Sequence, residues 1–236
     1  MALKAWRELV KGESDADRPT LLACSGGTDS SGLVLALACQ ATGVRTNLIV
    51  AHIVHDLRPA AQARRDLRIT QALAKLVGLK CVHATVKVRA KAGNAEANAR
   101  EARYKALGKL AEKYGCRAIA TAHHADDQLE TVLMRLIRGA GPRGLVGIRP
   151  SRLLDRDFSK LLLVRPMLEV ERVDTERLVR HVPEPWKPAQ DETNADLSRL
   201  RNAIRSKITP LLKELSPSVA KRVAKNSRWF RAVKER

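Results

Sequence analysis

The stretch Ser25-Gly26-Gly27-Thr28-Asp29-Ser30 decides the fold, because it joins a short apolar run at residues 20–24 to another at residues 33–38. This order predicts a β-strand, a tight glycine turn and an α-helix. The first N–H groups of a helix have no intrahelical partners and lie at the positive end of the helix dipole. We therefore expect the turn to bind a phosphate group, the alternative being an ordinary corner without a ligand.

The composition is that of one sizeable α/β domain with a small appendage. Of the 236 residues, 44% are hydrophobic and only 3% are aromatic, so the expected core is aliphatic. The four cysteines include no C-x-x-C pair, which argues against a zinc site or an iron–sulfur cluster. The N-terminus lacks an apolar signal region and no apolar run approaches the roughly 20 residues of a membrane span, so we expect a cytoplasmic protein without membrane contact.

The formal net charge of +19 and the isoelectric point near 10.5 predict a polyanionic partner, most of all a nucleic acid. The charge is concentrated, since residues 197–236 contain twelve basic and two acidic side chains. A generally basic proteome or a solubility feature is the alternative explanation, but neither predicts this concentration.

Apolar runs alternate with helical patterns over the first half of the chain. Strands are predicted at residues 21–24, 46–54, 80–86 and 117–121. Helices are predicted at residues 29–41, 60–77 and 95–114. This alternation predicts a parallel sheet covered by helices on both faces. Ligands of such sheets bind at the carboxyl ends of the strands, where Ser25, His52 and Thr121 fall.

Beyond residue 139 the pattern changes to an irregular hairpin at 150–164 and a helix at 169–181, after which prolines interrupt the chain. Ser216-Pro217 is a typical helix start, and it opens a basic helix whose apolar side chains should share one face. Those side chains are Val219, Val223, Phe230 and Val233. We therefore predict the α/β domain at residues 1–149 and a C-terminal part with the hairpin and the basic helices at 150–236.

Two histidines, His52 and His55, lie at the end of the second predicted strand, which favours a nucleotide-binding edge over a purely structural role. Further along, Glu96, Arg100 and Arg103 stand at i, i+4 and i+7 of a predicted helix. The apolar continuation of that stripe should face the sheet, so the two arginines should point toward the mouth of the cleft. Their planar groups suit phosphate oxygens, and a solvated helix face is the alternative.

The segment T-A-H-H-A-D-D-Q-L-E-T at residues 121–131 is the densest cluster of ionisable side chains. Asp126 and Asp127 fall in the first turn of the following helix, where one of them could serve only as a cap. Capping does not explain two histidines, two aspartates and Glu130 together. Carboxylates beside a triphosphate commonly hold Mg²⁺. A zinc site is the alternative, although the spacing matches no standard zinc pattern.

Arg201 and Arg205 stand one helical turn apart, after a D-E-T-N segment at residues 191–194. With this pair, the chain resembles the tRNA(Ile)-lysidine synthetases, a family of the ATP pyrophosphatases, which have an SGGxDS pyrophosphate loop. The resemblance runs from about residue 21 to residue 212 and rests on motifs in the right order. They are SGGTDS at 25–30, HIVHDLRP at 52–59, EANAREARY at 96–104, TAHHADDQLET at 121–131, RGAGPRGL at 138–145, RPM at 165–167, DETN at 191–194 and RNAIRSKITPLL at 201–212.

The resemblance implies a Rossmann-like parallel sheet of the adenine nucleotide α-hydrolase type, with a small, mainly helical C-terminal extension. It also implies an ATP-dependent ligase that works in two steps. ATP, with Mg²⁺, adenylates the C2 carbonyl oxygen of the wobble cytidine in tRNA(Ile) with a CAU anticodon, and pyrophosphate leaves. The amine of free L-lysine then displaces AMP, and the product, lysidine, lets the anticodon read AUA as isoleucine.

Carried over residue by residue, the resemblance assigns three groups of residues. ATP would be bound by Ser25, Gly26, Gly27, Thr28, Asp29, Ser30 and His52, with Asp29 and Asp127 as ligands of Mg²⁺. The reaction centre would contain Asp29, Arg100, Arg103, His123, His124, Asp126 and Asp127. The adenylated intermediate or the tRNA would be steadied by Arg201 and Arg205.

Two departures from the family pattern bear on these expectations. The family motif H-x-[ND]-H-G-L-R has Val54 and Asp56 at its third and fifth positions here, which alters the residues available to contact the nucleoside. Many relatives also carry additional C-terminal domains that grip the tRNA. The basic helix from Ser216 would take over that role here, or the chain is a short form or a truncated one. The oligomeric state stays open, with a homodimer as one option.

Three other functions are the alternatives. A tRNA-thiolating enzyme of the same superfamily would be expected to show paired cysteines. An amidating enzyme of the GMP or NAD synthetase type acts on small molecules and has little need of a +19 surface. An RNA-binding protein without catalysis would have no need of Asp29, Asp126 and Asp127.

Overall fold

A computed structural model describes residues 1–10, 18–39, 47–56, 59–88, 95–155, 157–189 and 200–234. The D-E-T-N motif at 191–194 lies outside these residues, as do Leu57, Arg58 and the side chain of Glu96. The roles expected of those positions stay predictions.

The strands of the described residues form one sheet. They are β1 (Thr20–Ala23), β2 (Leu48–His55), β3 (Lys80–Val86), β4 (Ala118–Ala120), β5 (Ser151–Leu153) and β6 (Leu162–Val164). Their order across the sheet is β3-β2-β1-β4-β6-β5, and each neighbouring pair is parallel except β5 with β6. The predicted α/β architecture with a parallel sheet is therefore confirmed.

The antiparallel pair of β5 and β6 is the hairpin that the sequence predicts at residues 150–164. Strand β6 lies parallel to β4, with Leu163 opposite Ile119, so the hairpin extends the main sheet. Burial of apolar side chains explains this addition, since Leu163 and Val164 are fully buried. The division of the chain after residue 149 stays a prediction, although the sheet continues across it.

Helices pack on both faces of this sheet. Those within the described residues are α1 (Ala2–Leu9), α2 (Thr28–Ala38), α3 (Ala60–Leu76), α4 (Ala95–Lys113), α5 (Ala125–Ile137), α6 (Pro142–Leu145), α7 (Arg172–Arg180), α8 (Leu200–Ala203), α9 (Thr209–Leu215) and α10 (Val219–Lys234). A π-helical turn at Ile204–Ile208 joins α8 to α9. The helices predicted in the first half correspond to α2, α3 and α4, and the mainly helical C-terminal extension is confirmed.

Neighbouring residues of β1 point to opposite faces of the sheet, as the two-residue period of a strand requires. Leu22 packs with α1, α2 and the end of α3 in one apolar cluster. Leu21 packs in a second cluster with α4 and with Phe158 of the hairpin. A third, smaller cluster joins α5 to α10 through Leu129 and Ala224. The sheet is thus covered on both sides, with α10 placed outside α5.

The C-terminal helix α10 buries a face that the apolar pattern predicted only in part. Ala220 and Ala224 are buried against α5, and Val219 and Val223 are partly buried beside them. Val233 is 53% exposed, so the contact with α5 does not extend to it. The most deeply buried side chains of this contact are the small alanines, with Val219 and Val223 at its edge.

Helix α2 is buried along most of its length, whereas α4 buries one face and exposes the other. In α4, Leu107 and Leu110 are buried against the sheet, while Lys105 and Lys109 are exposed. The apolar stripe predicted to continue from the two arginines therefore faces the sheet. In the part of the chain that the structure describes, no helix combines the length and apolar character needed to cross a membrane.

Helix α7 packs directly on α2 at Gly32. A Cβ atom built at Gly32 would lie 2.8 Å from Cβ of Thr175, closer than two carbon atoms approach without strain. Because glycine has no side chain, the backbone of α7 can lie against the helix that follows the glycine turn. Gly32 is therefore a packing position of the fold.

Replacing Gly32 by alanine should destabilise the protein, even though alanine is the better helix former by about 1 kcal/mol. The added methyl group forces α2 and α7 apart, and overpacking of this kind costs about 1–3 kcal/mol. Urea unfolding followed by circular dichroism measures the difference. The control is Gly141→Ala, where a Cβ atom meets nothing within 4 Å. Equal stability of Gly32→Ala and the unmodified protein would contradict this packing.

Candidate active site

The glycine turn is held by its own serine side chains. The N–H of Ser25 donates to Oγ of Ser30 over 3.1 Å, and that hydroxyl donates to the carbonyl of Gly27 over 3.0 Å. Gly26 has a φ of +86°, a conformation that favours glycine. A Cβ atom at Gly26 would also lie 3.2 Å from the carbonyl oxygen of Asp66 in α3. The backbone path of the turn is therefore fixed both by Ser30 and by α3.

The helix that follows the turn offers its first N–H groups to an anion. Helix α2 begins at Thr28 with Gly27 as its N-cap, and no side chain caps it. Uncapped N–H groups at the positive end of a helix suit a phosphate group. The turn is also braced by the segment after α7, since the N–H of Ala189 donates to the carbonyl of Gly26 over 2.9 Å.

A cavity of about 460 Å³ opens at the carboxyl ends of β1, β2 and β4, and this volume suits a nucleotide-sized ligand. Most of the residues assigned from the sequence line it: Ser25, Asp29, Ser30, His52, Arg100, Arg103, His123, Asp127, Arg201 and Arg205. The remaining assigned residues lie outside the lining: Gly26, Gly27, Thr28, His124 and Asp126.

His124 caps α5 and thereby fixes its own tautomer. Its Nδ1 accepts from the N–H of Asp127 over 3.3 Å, and Oδ2 of Asp127 accepts from the N–H of His124 over 3.0 Å. Because Nδ1 accepts, the proton of the neutral ring is on Nε2, which lies 3.5 Å from Oδ2 of Asp29. Burial lowers the pKa of His124, but the nearby carboxylates of Asp29 and Asp127 outweigh it, so the pKa is raised. His124 therefore links the first turns of α5 and α2.

Asp126 contacts two C-terminal elements rather than the cavity. Its Oδ2 accepts from the N–H of Arg172, at the start of α7, over 2.8 Å. Its Oδ1 pairs with the ammonium group of Lys213 in α9. Burial raises the pKa of Asp126, but the hydrogen bonds from Lys213 and Arg172 lower it more, so the pKa lies below its usual range. These contacts favour a structural anchor, and the catalytic role of Asp126 stays a prediction.

Asp127 and Glu130 share an ion-pair network with Arg201 and Arg205. Arg201 donates to Oδ1 of Asp127 over 2.6 Å and to Oε2 of Glu130 over 2.7 Å. Arg205 donates to Oε1 of Glu130 over 2.6 Å. Only 2% of the Glu130 side chain is exposed, so the two guanidinium groups neutralise a buried charge. Burial raises the pKa of Asp127, but the charges of His124 and Arg201 lower it more, and the pKa is depressed.

His52 lies in β2 beside the glycine turn. Its Nδ1 is 2.9 Å from the carbonyl oxygen of Cys24 and 3.3 Å from Oγ1 of Thr70. Since a carbonyl oxygen can only accept, the proton of the ring is on Nδ1 and Nε2 is an acceptor. Burial lowers the pKa of His52, so the ring is neutral at pH 7. This tautomer suits a hydrogen bond from a nucleoside, which agrees with the place expected for His52.

His123 and two arginines of α4 add basic groups to the cavity wall. Nδ1 of His123 lies 3.0 Å from Oγ1 of Thr121, and burial lowers the pKa of His123 to about 4. Arg100 donates to the hydroxyl of Tyr104 over 3.2 Å. Both Arg100 and Arg103 are exposed and line the cavity, which is the position that the helical stripe predicts.

Asp29 is the carboxylate that best fits a bound Mg²⁺. Its Oδ1 is buried without a hydrogen-bond partner beside the glycine turn. Asp127 offers no such oxygen, because Oδ1 accepts from Arg201 and Oδ2 from the N–H of His124. Mg²⁺ keeps several waters and takes one or two carboxylates together with substrate phosphates, so one available carboxylate is compatible with it. Within the described ranges, no group of three or more histidine, cysteine or acidic side chains is arranged to hold a metal ion.

Two residues of this region, Glu130 and Arg172, are missing from the assignment made from the sequence. Glu130 carried a usable signal, because it follows Asp127 by three residues and so shares its helix face. The sequence around Arg172 contains no such signal. Its Nε lies 3.8 Å from Oδ1 of Asp29, which is far away in the chain. That proximity follows from the packing of α7 on α2 and has no local pattern.

Comparison with known proteins gives one family match and several similar sequences. The chain matches the model of the PP-loop domain over residues 2–212. It is 40% identical to the tRNA(Ile)-lysidine synthase of Salinispora arenicola, over 91% of this chain and 62% of that relative. It is 37% identical to the tRNA(Ile)-lysidine synthase of Thermotoga sp., over 84% of this chain and 46% of that relative. The chain thus spans about three fifths or less of the length of these relatives.

A solved structure with a similar fold is the U34-tRNA thiolase NcsA from Methanococcus maripaludis with its [4Fe-4S] cluster. It has a TM-score of 0.70 and 16% identity, and the match covers 98% of this chain and 78% of the thiolase. At this level of identity the likeness supports the shared fold alone.

The free energy of unfolding should depend on His123 between about pH 4 and pH 6.5. The unfolded chain binds a proton near the ordinary histidine pKa of about 6.5, whereas the folded ring binds it only near pH 4. The contribution of neutral His123 is therefore complete above pH 6.5 and is lost as the pH falls toward 4, by up to about 1.4 kcal/mol per pH unit. Urea unfolding at several pH values should show this slope reduced in His123→Asn. An unchanged slope, or an equal change in the control His83→Asn at an exposed position of β3, would contradict the burial of a neutral ring.

Removing Arg205 should destabilise the protein, because the buried carboxylate of Glu130 then has one arginine partner, Arg201, instead of two. We expect Arg205→Ala to lower the free energy of unfolding by about 2–3 kcal/mol. The double variant Glu130→Leu/Arg205→Ala should lose less than the sum of the single variants, since no unpaired charge stays buried. Lys207→Ala, at an exposed position of the same helical segment, is the control. Strictly additive losses in urea unfolding would refute the coupling of Glu130 to Arg205.

Proposed function

The chain belongs to the PP-loop domain family, and from this premise we propose that it joins free L-lysine to the wobble cytidine of tRNA(Ile) with a CAU anticodon. The reaction consumes ATP, releases pyrophosphate and AMP, and forms lysidine. The observation that supports this function most is a single cavity lined by Ser25, Asp29 and Ser30 of the glycine turn, by Asp127 and by two pairs of arginines. An adenylating centre needs groups of these kinds to hold phosphate and metal and to offset the charge that is transferred.

The ATP phosphates bind at the glycine turn and at the uncapped first turn of α2. The turn contains no lysine, so Arg100 and Arg103 at the cavity mouth supply positive charge to the phosphate oxygens. Mg²⁺, when bound at Asp29, adds positive charge at the phosphates. His52 accepts a hydrogen bond from the nucleoside through Nε2. In the first step the C2 carbonyl oxygen of the cytidine attacks the α-phosphorus, and the bond to pyrophosphate breaks.

The second step brings a cation to the carboxylate side of the cavity. Asp127 attracts the lysine ammonium group, because its depressed pKa keeps it negative at neutral pH. Asp127 and His123 are both deprotonated at pH 7, but their lowered pKa values make each a weak base, so the proton that the ammonium group loses before attack passes on to solvent. The amine then forms a bond to C2, and AMP leaves with the oxygen. Arg201 and Arg205, which line the same cavity, offset the negative charge of AMP.

A tRNA partner agrees with the net charge of +19. Because ATP, free lysine and tRNA meet in the cytoplasm, we assign the protein to that compartment. A homodimer is compatible with this function, and no step of the reaction requires one.

Thiolation of tRNA, the main alternative, is less well supported. Sulfur transfer needs reactive thiolates, which occur where the cysteine pKa is lowered. Burial instead raises the pKa values of Cys81 and Cys116 to about 11. The pKa of Cys24, beside the glycine turn, is also raised by burial. All three thiols are therefore protonated at neutral pH, and the joining of lysine is the better supported reaction.

Asp29→Asn should lower lysine incorporation by about 100-fold or more while the protein stays folded. Its carboxylate is the proposed ligand of Mg²⁺ beside the ATP phosphates. The protein should stay folded, because the cap and the ion pairs of α5 are made by Asp127 and Glu130. The assay measures radiolabelled lysine in tRNA(Ile) with a CAU anticodon, in the presence of ATP and Mg²⁺. Pyrophosphate release is followed in parallel, and tRNA(Met) with the same anticodon tests specificity.

The matched control is Asp157→Asn, an exposed carboxylate of the hairpin, which should keep full activity. Normal labelling by Asp29→Asn would remove Asp29 from the site. Pyrophosphate release by the unmodified protein without lysine labelling would indicate a different nucleophile. Absence of both labelling and pyrophosphate release would contradict the proposed enzyme and favour an RNA-binding protein without catalysis.

A further inference from the structure

The outer side of α10 carries four polar or aromatic residues in one line. Arg222, Lys225, Asn226 and Trp229 stand at i, i+3, i+4 and i+7, so they share one face of the helix. All four are exposed, and Trp229 is 61% exposed. We call these four residues the outer stripe. They span about 10 Å along the helix axis.

The opposite side of α10 is fixed, so the outer stripe is presented in one orientation. Ala224 is buried against α5. Oγ of Ser227 donates to the carbonyl of Leu145 over 2.8 Å. Arg231 donates to the carbonyl of Val146 over 2.9 Å. These contacts hold α10 along its length.

The two cations of the outer stripe are available to a ligand. Lys221 pairs with Glu171 over 2.8 Å, and Arg228 lies 3.4 Å from Glu169, so their charges are already offset. By contrast, Arg222 has no ion-pair partner among the described residues, and the same holds for Lys225. These two positive charges therefore face solvent without a counter-charge from the residues that the structure describes.

Trp229 differs from the other tryptophans of the chain. Trp6 is buried, and Nε1 of Trp186 donates to the carbonyl of Ile69 over 2.9 Å. The ring of Trp229 meets Phe230 edge-on, with 5.1 Å between the ring centroids. Exposing so much of an indole ring to water is unfavourable, so a ligand that covers it gains free energy. A planar aromatic group is the partner that such a ring stacks on best.

We propose that the outer stripe binds an RNA strand, with Arg222 and Lys225 contacting phosphates and Trp229 stacking on an unpaired base. Basic side chains beside an exposed aromatic ring are the combination by which proteins bind single-stranded RNA. The length of the stripe, about 10 Å, suits a short segment of a few nucleotides. The inference rests on the proposed function for its partner, a tRNA, and it adds the surface that holds an unpaired segment of that tRNA.

The position of α10 fits this role. Helix α5 presents Asp127 to the cavity and packs on α10 through Leu129, so one helix separates the outer stripe from the proposed reaction centre. An RNA bound on the stripe therefore lies close enough to reach the cavity with a neighbouring segment. An anionic membrane is disfavoured as the partner, because insertion needs an apolar helix face and the buried alanines of α10 already pack on α5.

Binding of RNA to the full chain, measured by fluorescence anisotropy without ATP or lysine, tests the stripe independently of the reaction. The probes are a tRNA(Ile) transcript and a short single strand of uridines, each over a range of salt concentrations. Arg222→Ala/Lys225→Ala should bind about tenfold more weakly or worse at 0.1 M salt, and its slope of log K against log salt should fall by about 1.4. The control, Arg68→Ala/Lys75→Ala on α3, also removes one arginine and one lysine, but away from the outer stripe, and should leave the slope nearly unchanged.

Stacking is tested with Trp229 itself. Trp229→Ala should weaken binding by about fivefold or more, whereas Trp229→Phe, which keeps an aromatic face, should restore most of it. RNA should also quench the fluorescence of the unmodified protein and protect Trp229 from acrylamide. Equal weakening by Trp229→Phe and Trp229→Ala would overturn the stacking contact.

Four other outcomes would overturn the proposal that the outer stripe binds RNA. The first two are an unchanged RNA affinity of the Arg222→Ala/Lys225→Ala variant and an equal loss of RNA affinity in the control variant. The other two are self-association of the protein that already shields Trp229, and binding of the protein to phosphatidylserine vesicles in place of RNA. The proposed function fails separately. If lysine is not incorporated but the stripe variants still lose RNA affinity, the proposed reaction is refuted and RNA binding by the outer stripe is supported. If lysine is incorporated while those variants bind RNA normally, the proposed reaction is supported and RNA binding by the outer stripe is refuted.

Discussion

Three buried carboxylates in the first two turns of α5 hold the C-terminal third of the chain to the sheet. Asp126 contacts the start of α7 and Lys213 of α9, while Asp127 and Glu130 contact Arg201 and share Arg205. These partners lie 46 to 87 residues further along the chain. A buried carboxylate without a partner is strongly unfavourable, so the C-terminal helices cannot leave without a large cost in free energy. The residues that shape the cavity are thus also residues that close the fold.

Charge is distributed differently inside and outside the cavity. The protein carries a net charge of +19, yet the α5 side of the cavity pairs its acidic and basic groups nearly one to one. The surface therefore attracts polyanions over a distance, while the cavity wall distinguishes charges at contact range. Surface residues therefore provide the long-range attraction of polyanions, and cavity residues provide the local chemistry. A substitution in one set need not alter the other.

The parts of the fold that the sequence predicts are those with a local signal. The glycine turn, the aliphatic strands and the stripe from Arg100 to Leu110 can each be recognised within a window of about 20 residues. The acidic cluster at the start of α5 can be recognised in the same way, although the structure gives its two aspartates different surroundings. Asp127 lines the cavity, whereas Asp126 anchors α7 and α9, and this difference depends on partners far away in the chain. The same holds for Arg172 beside Asp29 and for the addition of the hairpin to the sheet. For Val233, burial does not follow from apolarity alone, because the most deeply buried side chains between α10 and α5 are alanines.

The hydrogen bond from the N–H of Ala189 to the carbonyl of Gly26 links the order of synthesis to the binding of nucleotide. A chain leaves the ribosome from its N-terminus, and its N-terminal portions begin to fold first. The strand, turn and helix around Gly26 therefore emerge long before the segment that braces them. Until residue 189 is outside the ribosome, the phosphate-binding turn lacks one of its supports, and α5 lacks its arginine partners. A nascent chain thus acquires a complete nucleotide pocket only after Ala189, Arg201 and Arg205 have all left the ribosome.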